Sequence, residues 1–71
     1  MTDCEIGFVK WFDSEKGYGY IKRERGGEVY VHYSALICEE SECSLQEGNK
    51  VQFTLIKGPR GLQAQDVIVM N

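Results

Sequence analysis

The sequence predicts an all-β fold, a small closed or nearly closed barrel of five antiparallel strands. Three observations carry that expectation. Five short strand-like runs, each bounded by turn residues, fill a chain of 71 residues. Apolar residues alternate with polar or aromatic ones inside the runs, the signature of strands with one face buried. Gly17 and Gly19 alternate on the inward parity of the second run, where a missing Cβ permits sharp coiling and close approach of a neighbouring strand.

The first strand runs from about Glu5 to Phe12 and ends in the turn cluster Asp13-Ser14-Glu15-Lys16-Gly17. The second covers Tyr18 to Arg23, and Glu24-Arg25-Gly26-Gly27 turns the chain into the third, Glu28 to Tyr33. Ser34 to Cys38 fits a short helical turn with Ser34 as its N-cap. Residues 39–49 form an acidic loop closed by Glu47-Gly48-Asn49. The fourth strand, Lys50 to Lys57, alternates cleanly, with Val51, Phe53 and Leu55 inward and Gln52 and Thr54 outward. Gly58-Pro59-Arg60-Gly61 is a tight turn, and the last strand runs from Leu62 to Met70.

The second and third strands fix their own register. Placing Tyr20 opposite Tyr30 puts Tyr18 opposite His32 and Lys22 opposite Glu28, with a loop of Glu24-Arg25-Gly26 whose glycine takes φ > 0. A one-residue slip would bury the tyrosines and expose Val29 and Val31. With the aliphatics inside, Tyr18, Tyr20, Tyr30 and His32 are left on the outer face. A row of rings in water is unfavourable unless something stacks on it, and unpaired nucleobases do so.

Composition bounds the chemistry. Net charge is −3 and the isoelectric point about 5.0, which argues against a generally basic nucleic-acid binder. The charges are segregated, however. Glu39, Glu40, Glu42 and Glu47 crowd one segment, while Lys10, Lys16, Lys22, Arg23 and Arg25 lie in or beside the first three strands. Binding should therefore rest on stacking more than on phosphate neutralisation. Three cysteines with a Cys38–Cys43 gap of four residues and a single histidine do not make a zinc site, so no metal or other cofactor is expected. A Cys38–Cys43 disulfide is one option, and free thiols in a reducing cytosol are preferred on compartment grounds. The opening MTDCEIGF lacks a basic stretch followed by an apolar run, and no segment is long enough to span a bilayer, so a cytoplasmic protein without a membrane partner is expected. His32 and Ser34 share a parity, but no third group orients the histidine and no phosphate-cradling loop exists, so neither catalysis nor a small-molecule substrate is expected.

At KGYGYI (16–21) and VYVHY (29–33) the chain resembles the cold-shock domain family, with tyrosines where phenylalanines are more usual. The likeness continues through GFVKWFDSEKG (7–17), Ser34-Ala35, Leu45-Gln46-Glu47-Gly48, Val51-Gln52-Phe53 and Gly61-Leu62-Gln63-Ala64, so that residues 1–71 are taken as one domain. The resemblance implies a five-stranded oligonucleotide/oligosaccharide-binding barrel that binds single-stranded RNA and DNA; a monomer is expected. It carries over Lys10 and Trp11 from the first strand, Phe12 at the platform's edge, Lys16, Tyr18 and Tyr20 from the first motif, and Tyr30, His32 and Tyr33 from the second. Arg60 occupies a loop position where the family often has arginine, and Gln63 and Asp13 lie near bases in the family arrangement. The chain departs from the pattern in three places. The loop before Leu45 has no aromatic, Asp13 stands where asparagine is common, and Phe8 where lysine is common. The competing reading is a non-enzymatic adaptor that offers its aromatic face to a protein.

One conflict of parity makes a structural prediction. Lys10 and Trp11 are neighbours, as are His32 and Tyr33, yet each pair is assigned to one ligand face. The first strand must therefore bulge near Trp11, and the third must end at Tyr33.

Overall fold

A computed structural model describes residues 4–37, 45–59 and 61–70. Five strands form a closed barrel in the order β1-β2-β3-β5-β4, with β1 at Cys4–Asp13, β2 at Tyr18–Arg23, β3 at Glu28–His32, β4 at Lys50–Gly58 and β5 at Gly61–Val69. The strands follow the five predicted runs to within two residues at each end. Four of the contacts around the barrel are antiparallel, and closure comes from a short parallel contact of β3 with β5 at Tyr30↔Gln63. The all-antiparallel expectation thus holds for every pair but the one that seals the barrel. Among the described residues no helix is long and apolar enough to cross a membrane.

The interior is filled by the inward face of each strand. Val9, Ile21, Val29, Val31, Val51, Phe53, Ala64 and Val67 are buried, and Leu45 closes the cluster from the loop side. Leu55, expected inside, is half-buried at the cluster's margin. The predicted hairpin register is the observed one, with Tyr18↔His32, Tyr20↔Tyr30 and Lys22↔Glu28. At its turn Gly26 and Gly27 take φ of 108° and 84°, a region open to glycine at little cost.

The glycines of the second run do different work. Gly17 precedes β2 in the turn, with φ 77°, and a Cβ there would lie 2.6 Å from the ring of Tyr33. Gly19 has no unusual φ; its role is steric, because a Cβ would meet the carbonyl oxygen of Trp11 and the Cα of Phe12 at 2.2 and 2.7 Å. β1 crosses β2 too closely there for any side chain.

One ion pair went unread in the sequence. Glu5 is buried, and its carboxylate accepts two hydrogen bonds from Arg23, Nε–H to Oε1 at 2.9 Å and Nη2–H to Oε2 at 3.0 Å. The hydrogen bonds and the carboxylate charge hold the guanidinium above its ordinary value, against a lesser opposing effect of burial. The two residues join the start of β1 to the end of β2 in the fork geometry that arginine favours. Arg23 is therefore committed to the barrel and subtracts from the basic patch expected on this side.

Candidate nucleic-acid interface

Both predicted irregularities are present. The β1–β2 register shifts between Val9 and Trp11, so that Lys10 is the extra residue of a bulge. Val9 turns inward opposite Ile21, and two residues later on β1 Trp11 faces outward opposite Tyr20. β3 ends at His32, and Tyr33 opens a 3-10 turn over Tyr33–Ala35. Breaking the alternation at these two points lets neighbours in sequence share a face.

The outer face of β1, β2 and β3 then carries a continuous ring cluster. The Trp11 ring lies 5.6 Å from both Tyr18 and Tyr20, centroid to centroid. Tyr30 is 5.9 Å from Tyr18, nearly parallel at 28°, and 5.9 Å from Tyr20, edge-on at 75°. These are favourable aromatic geometries, and they hold the rings in place before any ligand arrives. The tyrosines are half-buried against one another, while Trp11 and Tyr33 are exposed. Tyr33 packs over Gly17 and lies 4.4 Å from His32, extending the face at its far end.

The 3-10 turn is capped by His32, not by Ser34 as the sequence suggests. The His32 Nδ1 accepts from the Ser34 N–H at 3.3 Å and lies 2.9 Å from the Ser34 Oγ. Strand geometry extends one residue short of the expected end, so the cap falls on the last extended residue. The shared parity of His32 and Ser34 is thus a local turn that orients the imidazole.

Phe12, expected at the platform's edge, falls in Gly19's row, is half-buried and packs against the core. The bulge explains this, because Trp11 takes the outward parity and its neighbour must turn in. Lys16 is exposed beside the turn, where Asp13 Oδ1 accepts from the backbone N–H groups of Glu15 and Lys16 at 2.9 and 3.1 Å. Asp13 therefore serves as a turn cap. Gln63 lies beside Tyr30 through the parallel contact of β5, which brings it to the ring face from the far end of the chain. Arg60, Cys38 and Cys43, with Glu39, Glu40 and Glu42 of the acidic loop, lie outside the described residues.

The expected charge pair also changes partner. Lys22 stands opposite Glu28, but the Glu28 carboxylate takes Lys10, Nζ to Oε2 at 2.6 Å. The bulge aims Lys10 across β2, which residue spacing does not reveal. Beyond the rings, a cleft of about 530 Å³ opens between the 3-10 turn and β5, starting at Tyr30, His32 and Gln63 and continuing to Ser34, Gln65 and Asp66. Its far wall comes from β5 and was not among the expected site residues.

Known proteins have similar sequences. A family model described as the "Cold-shock" DNA-binding domain matches residues 5–70. The chain is 45% identical over 71 residues to the cold shock-like protein CspA of Shewanella violacea, covering 99% of this chain and all of that one. It is 51% identical over 63 residues to the cold shock protein CspC of Bacillus subtilis, covering 89% and 94% of the two chains. It is 48% identical over 65 residues to a cold shock-like protein of Thermotoga maritima, covering 92% and 97%. The match runs through all five strands of a closed barrel whose outer rings gather on β1, β2 and β3, and the chain therefore belongs to the cold-shock domain family of nucleic-acid-binding proteins.

Proposed function

We propose that this protein binds single-stranded RNA and DNA as a monomer, stacking unpaired bases on Trp11, Tyr18, Tyr20, Tyr30, His32 and Tyr33, and acts as an RNA chaperone. One observation carries the reading: Trp11, Tyr18, Tyr20 and Tyr30 form one ring cluster on the outside of a barrel whose inside is already filled by aliphatics and Phe53. Every base has a π-face, so recognition by stacking tolerates most sequences. Holding unpaired strands shifts RNA toward open forms by mass action, without an energy source. Regulation of transcription termination or translation is the natural consequence of such an activity.

Phosphate contacts fall to Lys10, Lys16 and Arg60, with Gln63 and Asp13 near the bases. Lys10 is available despite its partner. Its ion pair with Glu28 is about half exposed on both sides, and such pairs are worth only about 0.2–1 kcal/mol. A phosphate can take the ammonium from the carboxylate at small cost.

Titrating an unstructured pyrimidine oligonucleotide should quench the single tryptophan, Trp11, at micromolar protein. With two or three phosphates neutralised, log K should fall against log salt with a slope of about −2 or shallower. No quenching would favour the adaptor reading, and a slope several times steeper would remove stacking as the main source of affinity.

A further inference from the structure

The face that carries the rings does not stop at Trp11. The bulge at Lys10 places Phe8 and Trp11 on the same outer surface, with buried Val9 between them. Phe8 is 43% exposed, more than Trp11 at 37%. Across β2 it stands opposite Lys22, and across β4 opposite Lys50. Lys22 and Tyr20 are two residues apart on one strand, so the row of Phe8 lies about 7 Å from the row of Trp11 and Tyr20. Lys10 projects toward this same row, to Glu28. The row therefore holds one exposed ring, Lys22 and Lys50 beside it, and a carboxylate already matched by Lys10.

We propose that Phe8 is a further base-stacking position, one nucleotide beyond Trp11, with Lys22 as its phosphate contact. The inference rests on the binding reading above and lengthens its footprint. A nucleotide suits the position because it brings a π-face and a negative charge together, and Phe8 offers a ring in register with lysines on both neighbouring strands. A second copy of this chain suits it less. An isologous contact centred on Phe8 would set each lysine row against its own image. The apolar surface does continue past Lys50 to Met70, which is exposed and joined to Lys50 by a backbone hydrogen bond, so self-association is the outcome to test against.

Phe8→Leu keeps apolar bulk and removes the ring. It should bind octathymidylate about 5- to 150-fold more weakly than the wild type, the loss expected of one stacked base, and bind tetrathymidylate equally. Phe8→Trp in a Trp11→Phe background moves the only indole to the new position, and octathymidylate should quench it. Equal affinity of Phe8→Leu and the wild type for octathymidylate, or an unquenched indole at position 8, overturns the proposal. So does an unchanged affinity accompanied by a shift in sedimentation from dimer to monomer, which would make Phe8 a self-association contact. Failure of the wild type to respond at Trp11 would overturn the binding reading itself, whereas a normal wild-type response with an indifferent Phe8→Leu removes this inference alone.

Discussion

Replacing Tyr20 and Tyr30 together by alanine should weaken single-strand binding by roughly 2–6 kcal/mol, one to three for each base that loses its platform. The two residues face each other across β2 and β3, with rings 5.9 Å apart, at the centre of the cluster. Tyr20 also touches Trp11, and Tyr30 also touches Tyr18, so their removal leaves no intact path of rings from β1 to β3. Because the rings contact one another, the single variants should not sum to the double. A double-mutant cycle would give a coupling of the order of 0.5–1.5 kcal/mol from that contact. Neither ring belongs to the core cluster, so the fold should survive with a modest loss of stability. Anisotropy of a labelled oligonucleotide is the suitable readout, since Trp11 fluorescence will itself change when Tyr20 is removed. An affinity equal to the wild type's, with the circular dichroism spectrum preserved, would refute the platform.

Gly19→Ala should cost about 3 kcal/mol of folding stability, the upper range for overpacking by one methyl group. In a domain of this size that lowers the melting temperature by roughly 10–25 °C. The added Cβ strikes backbone atoms on β1, the Trp11 carbonyl and the Phe12 Cα, and cannot be relieved by a side-chain rotation. Either β1 and β2 separate or the bulge rearranges, and both displace Trp11. The variant should therefore lose binding as well as stability. Gly26→Ala is the informative control. A Cβ there meets nothing within 4 Å, and its cost comes only from φ at 108°, about 1–2 kcal/mol with no effect on the ring face. Thermal denaturation of the two variants separates a steric from a conformational glycine. Equal melting temperatures for Gly19→Ala and the wild type would mean that the strands are not in contact at this point.

The features legible in the sequence share one property: each is decided by residues close together in the chain. The Tyr20–Tyr30 register follows from alternation on either side of a Gly-Gly turn, because a slip of one residue would exchange the buried valines for tyrosines. The bulge at Lys10 and the end of β3 follow from neighbours that cannot otherwise share a face. The resemblance gave the roles proposed for these residues, and the strands supplied their faces.

Features that needed the folded chain depend on groups brought together from distant positions. Glu5 and Arg23 look like two ordinary surface charges until closure of β1 on β2 buries the carboxylate and forks the guanidinium around it. Glu28 was matched to Lys22 by register, and the bulge gave it to Lys10 instead. Gln63 reaches Tyr30 only through the parallel seam that seals the barrel, and the cleft beside it exists because β5 and the 3-10 turn approach there. By itself the sequence determined which residues lie in strands and which side of each strand meets water, because side-chain alternation and turn chemistry are local. Tertiary structure alone decided which charges are neutralised and how far the exposed rings extend, because those depend on how the strands shear past one another as the barrel closes.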